Sequence, residues 1–241
     1  QAIPEAMAAA LKNPVELNRR VVAIGTGKDG VEVRCADGAK YGADQLVCSI
    51  PTAVLRGIAI EPALTGAQAA AVGQLGVQAI SQMHLVPKAR YWEQDGMAPG
   101  MWTDGLVNML IDEHKAADPA DVSSLTVWRR GRSVARTDRM TDSEAAAAVV
   151  AEIERLRPAA RGQLEVVAYH SWKQDPFSRG DWAVWGPGQV TAFARDIGRP
   201  HGRIRFCGEH TAVSNRGMEG AMESGERAAL ELYYWRRAQR V

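Results

Sequence analysis

Arg205-Phe-Cys-Gly-Glu-His-Thr-Ala-Val-Ser-Asn-Arg-Gly-Met-Glu-Gly-Ala-Met-Glu-Ser-Gly-Glu-Arg-Ala-Ala229 is the stretch that decides how this chain is read. It runs from a short apolar strand ending at Gly208, through the acidic Glu209 and a loop, into a helix that begins near Met218. The helix opens with Gly217, Gly220 and Ala221, small residues that let a second backbone or a planar ligand come close. Its first turn offers backbone N–H groups without intrahelical partners and a partial positive charge, which suit an electron-rich group. Ser224, Gly225, Ala228 and Ala229 keep one face thin enough to lie against a sheet.

Working outward, residues 4–11 read as a short helix and Val15–Leu17 as a brief strand. Arg20–Ile24 and Val31–Cys35 are β-rich runs on either side of Gly25-Thr-Gly-Lys-Asp-Gly30. Gln45–Ile50 is an apolar strand stopped by Pro51, so the region reads as a β-meander. Gly25-x-Gly27-x-x-Gly30 matches the dinucleotide fingerprint as a string. A working fingerprint joins a strand to a helix whose N-terminus meets the pyrophosphate. Here Val31-Glu-Val-Arg-Cys35 alternates as a strand does, so the glycines are assigned to a hairpin turn.

Helical patterns follow at 51–57 and 63–74, then a long strand at Gln78–Val86. Residues 93–120 are mixed and loop-rich. Ser124–Arg129, Leu164–Trp172 and Arg203–Cys207 read as strands, and Asp175–Gly188 as a loop rich in Gly, Pro and Trp. Thr141–Leu156 is the clearest helix, with Thr141 as N-cap and Glu144 completing a capping box. Met218 to about Arg236 is the last helix.

The 241 residues permit one large domain or two small ones, and a net charge of +1 gives no footprint for nucleic acid or an anionic membrane. No segment approaches the roughly 18 apolar residues of a membrane span. Cys35, Cys48 and Cys207 are odd in number and lack CxxC spacing, which argues against a disulfide framework or zinc site and fits a reducing cytoplasm. The five histidines show no metal spacing either. Gln1-Ala-Ile-Pro-Glu-Ala-Met7 opens abruptly in a helical pattern, so the chain is expected to start inside a larger fold.

The Arg205–Ala229 string closely resembles the flavin-binding C-terminal signature of the flavin monoamine oxidase family, which includes monoamine, polyamine and L-amino-acid oxidases. Ala2-Ile-Pro-Glu-Ala-Met, Arg20-Val-Val-Ala-Ile, Val31-Glu-Val, Asp37-Gly and Cys48-Ser-Ile-Pro resemble that family's middle stretch in the right order. Trp172–Gly188 resembles its active-site segment. The resemblance runs nearly end to end and is weakest over 93–140. It implies an α/β fold: part of a two-domain FAD-linked amine oxidase lacking the N-terminal dinucleotide-binding βαβ unit. Residues 1–75 and 195–241 would form portions of the FAD-binding domain, and 76–194 the substrate-binding domain.

Position by position, the resemblance sets the Val21 backbone at the adenine end of FAD and Glu209 near the ribityl-phosphate region. By the same resemblance the Met218 N–H faces the flavin N1–C2=O edge, and Gly208, Gly217 and Ala221 complete the cofactor-binding set. Reduction puts negative charge at N1, which a helix N-terminus stabilises. Trp172 matches a tryptophan packed beside the isoalloxazine; a core Trp is the other reading. His210 either faces the cofactor or is a satisfied structural histidine.

Three departures from the family pattern bear on function. Asp181 stands where animal monoamine oxidases attach flavin to a Cys, so FAD is expected to be non-covalent. Trp182 falls on one of two amine-flanking aromatic positions, while Gly217 or a one-residue gap replaces the other, which would admit bulkier substrates. Gln82, or Ile80 by a different count, replaces a Lys that holds a water against flavin N5; Gln82 is preferred, because it can still hydrogen-bond a water. The catalytic set expected is therefore Gln82, Trp172 and Trp182.

The function implied is FAD-dependent oxidation of a small-molecule amine to an imine, hydrolysed to a carbonyl compound, with oxygen as acceptor. A related FAD-dependent dehydrogenase or desaturase on a non-amine substrate is the second reading. A non-catalytic fragment that needs a second chain carrying the N-terminal FAD-binding segment is the third.

Overall fold

A computed structural model describes residues 2–114 and 121–239, which divide into two compact units. One comprises Gln1–Gln74 with Gly188–Val241, and the other Leu75–Pro187.

The first unit opens with α1 (Ala2–Ala9), which buries none of its residues. Residues 14–20 form no strand, contrary to the expectation for Val15–Leu17. Both side chains are exposed and Asn18 turns the chain at φ 61°, so the segment has neither a partner nor the extended geometry to pair. Strands β1 (Val21–Thr26), β2 (Val31–Cys35) and β3 (Lys40–Ala43) form an antiparallel meander. Strand β4 (Leu46–Cys48) lies in another sheet, correcting the reading that made Gln45–Ile50 part of the meander. A short helix α2 (Thr52–Leu55) leads to β5 (Ala59–Glu61), which pairs in parallel with β1, and then to α3 (Gly66–Gln74).

The glycine string is a hairpin: Thr26 pairs with Val31, and the Gly27 N–H donates to the Gly30 carbonyl at 3.0 Å. The loop's polarity is opposite to that of a phosphate cradle, which presents N–H groups. Here the carbonyls of Gly27, at 3.1 Å, and of Lys28 accept from the Arg203 guanidinium.

The second unit begins with β6 (Gly76–Val77) and β7 (Ile80–Pro87), then a single turn α4 (Trp92–Asp95). Short β8 (Met101–Trp102) and β9 (Met109–His114) break the stretch read as loop, of which 115–120 lie outside the described residues. After β10 (Val122–Arg130) comes α5 (Arg132–Thr137), which no sequence signal marked. Helix α6 (Asp142–Leu156) carries the expected capping box, with the Glu144 N–H on Thr141 Oγ1 and the Thr141 N–H on the Glu144 carboxylate. Then come β11 (Leu164–Ser171) and β12 (Ala183–Val184), a two-residue strand inside the Trp-rich loop that pairs with β6.

The sheet order β11-β7-β10-β9-β8 follows from alternation along each strand. Met83, Leu85, Leu125 and Val127 point to one face and meet Ala146, Val149 and Ile153 of α6 in a hydrophobic core. Gln82, His84, Thr126 and Trp128 point to the opposite face.

Returning to the first unit, α7 (Gln189–Phe193) precedes β13 (Ile204–Phe206) and the long α8 (Gly217–Ala238). Strand β13 pairs in parallel with β4, so the partner of Leu46–Cys48 lies about 160 residues away in sequence. Ile204 and Phe206 close a core with Ile24, Val31, Cys48 and Leu55.

Candidate active site

In the first unit, β13 runs into Gly208, a single 3-10 turn at Glu209–Thr211, and a loop that enters α8. Three α8 side chains hold that path. Ser224 Oγ accepts the Gly208 N–H at 2.8 Å. The Glu223 carboxylate accepts the N–H groups of Val213 and Ser214 at 3.0 and 3.2 Å, and these bonds lower its pKa. Arg227 donates to the Phe206 carbonyl at 2.7 Å and to Thr211 Oγ1 at 3.2 Å.

Glu223 and Arg227 were not singled out from sequence. Their spacing of four puts them on one side of the helix beside Ser224. That polar group on an otherwise small-residue face was the available signal.

Two glycines are required by close approach. Gly208 has φ 109°, and a Cβ there would lie 2.7 Å from the His210 ring. A Cβ on Gly220 would lie 2.3 Å from the Asn215 carbonyl oxygen. Burial pushes the His210 imidazole down to about 4, so it is neutral at physiological pH.

The N-terminus of α8 is open. Arg216 at the N-cap makes no side-chain capping bond, and Met218 is 67 % exposed, with Gly217 and Ala221 also at the surface. Val213, Met218 and Met222 expose apolar side chains on the loop and first turns of this helix start. Such a surface fits a planar ring with an electron-rich edge. At the start of β1 the ladder with β2 slips between Val21 and Ala23, leaving Val22 out of register beside Val21.

In the second unit, the structure brings Gln82 and Trp172 together: the indole N–H donates to the Gln82 amide oxygen at 2.9 Å. Trp172 is 39 % exposed and meets His170 edge-on, so it is not a core tryptophan. Ile80, the alternative to Gln82, is buried. Across the β7–β10 ladder Gln82 pairs with Trp128, against which Trp182 packs edge-on with ring centres 6.4 Å apart. The Arg130 guanidinium lies over both indoles. Desolvation raises the Asp181 carboxyl above its usual range, and the charge of Arg130 opposes that shift.

Among the described residues no group of three His, Cys, Asp or Glu could hold a metal ion, and no helix is long and apolar enough to cross a membrane.

Comparison with known proteins adds a third line. A family model described as flavin containing amine oxidoreductase matches residues 1–232. An L-amino-acid oxidase of Siganus canaliculatus is 26% identical over 242 residues, covering 95% of this chain and 45% of that protein. A flavin-containing amine oxidase of Danio rerio is 28% identical over 243 residues, with 95% and 45% covered. Among solved structures, a putrescine oxidase bound to putrescine superposes with a TM-score of 0.80 at 21% identity, covering 97% of this chain and 52% of that one. Cyclohexylamine oxidase from Brevibacterium oxydans IH-35A gives 0.73 at 20% identity, with 89% and 48% covered. These likenesses show the fold expected from sequence, part of an FAD-linked amine oxidase. The chain spans about half the length of the relatives it matches.

Proposed function

The chain belongs to the flavin containing amine oxidoreductase family, and on that premise we propose that it is the C-terminal part of an FAD-dependent amine oxidase. The observation that carries the reading is the open, uncapped start of α8 at the end of a signature loop tied down by Glu223, Ser224 and Arg227. When bound, FAD would supply the two-electron oxidation of the amine to an imine, which water would hydrolyse, with oxygen as the final acceptor.

The chain's own residues bind and orient. The Met218 N–H and the α8 dipole oppose the negative charge that reduction places at one ring edge. Gly208, Gly217 and Ala221 keep that edge clear, Glu209 serves the ribityl region and the Val21 backbone the adenine end. Trp172 is assigned to the flavin ring by the family resemblance alone. With its oxygen committed to Trp172, Gln82 has its amide N–H groups left to hold a water. Trp182 walls the substrate.

We assign cofactor binding to 1–75 and 195–241 and substrate binding to 76–194, close to the divisions between the two compact units. Holding of FAD is non-covalent in this reading, since Asp181 replaces the attaching Cys and the loop from Asp175 to Gly188 contains no cysteine. Pyrophosphate contacts come from a segment outside residues 1–241, fused or on a second chain. Three free, buried cysteines fit a cytoplasmic setting.

The test uses the full-length protein. Its visible spectrum should show a flavin that acid releases, and amines should yield hydrogen peroxide and ammonia. A flavin-free protein overturns the reading. A flavoprotein that dehydrogenates non-amines without oxygen uptake supports the dehydrogenase reading, which the absence of Lys at position 82 favours.

A further inference from the structure

Arg129 and Arg130 are adjacent in sequence and opposite in circumstance. Alternation along β10 sends them to the two faces of the sheet. Arg129 is fully buried, and its guanidinium meets the Leu106 carbonyl at 2.8 Å, Thr137 Oγ1 at 2.8 Å and Ser81 Oγ at 3.3 Å. It is a satisfied structural cation.

Arg130 emerges on the face of Gln82 and Trp128, with its Cζ 4.9 Å from the Trp128 ring centre and 5.1 Å from that of Trp182. Among the described residues its guanidinium has no carboxylate within ion-pair distance; Asp181 is electrostatically coupled to it without forming a pair. Arg130 Nε and the Trp128 indole nitrogen are both sealed from solvent with no hydrogen-bond partner. The acid on the same face, Glu113, already accepts from the hydroxyls of Ser124 and Thr126.

A fixed positive charge beside two donors that no protein group accepts suits an anionic acceptor. A planar guanidinium held between aromatic rings presents a fork that matches a carboxylate. The same charge repels an ammonium brought to the Trp182 wall, and it already occupies the ring faces that would otherwise attract one.

We propose that Arg130 is a specificity-determining residue that binds a carboxylate, so that the substrates are amines bearing a carboxylate, of the amino-acid type, rather than diamines or polyamines. The inference rests on the amine-oxidase reading for the reaction, but carboxylate binding itself can be tested without turnover.

Phenylacetate and phenethylamine differ at the charged end and can each be titrated into the flavin-loaded, full-length protein, with tryptophan fluorescence as the readout. Phenylacetate should bind at least about tenfold more tightly than phenethylamine, the scale of one charge-assisted contact. Arg130→Met should abolish that preference, and Arg130→Lys should keep part of it. The kcat/KM ratio of phenylalanine to phenethylamine should fall in the same order. A wild-type preference for phenethylamine, or a phenylacetate preference unchanged in Arg130→Met, overturns the proposal. Should Arg130→Met not fold, the wild-type preference and Arg130→Lys decide the matter. An Arg130-dependent anion site in a protein that oxidises no amine would leave this site standing and sink the reaction assigned above.

Discussion

The Trp172 indole N–H reaches the Gln82 amide oxygen at 2.9 Å, joining residues 90 positions apart at one end of the second unit's five-stranded sheet. The bond fixes which end of the Gln82 amide remains for a water or substrate. It also orients an indole that is partly open to solvent.

Trp172→Phe keeps the ring's bulk and removes the donor. Loss of one neutral hydrogen bond at a partly exposed position should cost no more than about 1.5 kcal/mol of stability. In the full-length enzyme kcat should fall by about tenfold or more, since positioned groups act on the transition state. Urea denaturation beside steady-state kinetics checks both. An unchanged kcat would make the pair a structural detail.

Gly220 and Gly225 lie in the same helix and should respond to alanine in opposite ways. A Cβ at Gly220 meets the Asn215 carbonyl oxygen at 2.3 Å and Ala212 Cβ at 2.9 Å, whereas at Gly225 it meets nothing within 4 Å. Gly220→Ala should therefore destabilise by about 1–3 kcal/mol and weaken FAD binding by displacing the signature loop. Gly225→Ala should gain about 0.5–1 kcal/mol from helix propensity. Denaturant midpoints and FAD titrations on both variants give the comparison, and equal effects would contradict the packing described.

His210 gives a pH signature. The imidazole titrates near 6.5 when exposed and near 4 in the fold, because burial disfavours its charged form. Between those values the unfolded state binds more protons, so stability falls as pH falls through 6.5 and levels off near 4. The full effect is about 3 kcal/mol. Urea midpoints measured from pH 7 to 4 should show a steeper loss for the native protein than for His210→Gln. Parallel curves would mean that the histidine is accessible to protons in the folded state.

Much of this was legible in the residues, for reasons that differ by element. Thr141 and Glu144 announce α6 because a capping box is a local device. Val31–Cys35 declares its strand, and so rejects the nucleotide fingerprint, through alternation alone. Strand β4 could be seen but its partner could not: nothing in Leu46–Cys48 says that Ile204–Phe206 will pair with it. Helix α5 follows Gly131 with four polar residues among six and has no apolar period to betray it. Trp172 and Gln82 were named separately, and only the strand register made them neighbours. Arg129 and Arg130 look identical in the sequence, because the face each takes is set by the ladder.

Anaerobic mixing of the flavin-loaded, full-length protein with a panel of amines and amino acids tests the assigned reaction most directly. The account predicts loss of the visible absorption of oxidised flavin on mixing. Carbonyl product and ammonia should form in amounts stoichiometric with the flavin, and admission of oxygen should restore the colour. A folded, flavin-bound protein whose spectrum stays fully oxidised with every amine would contradict it.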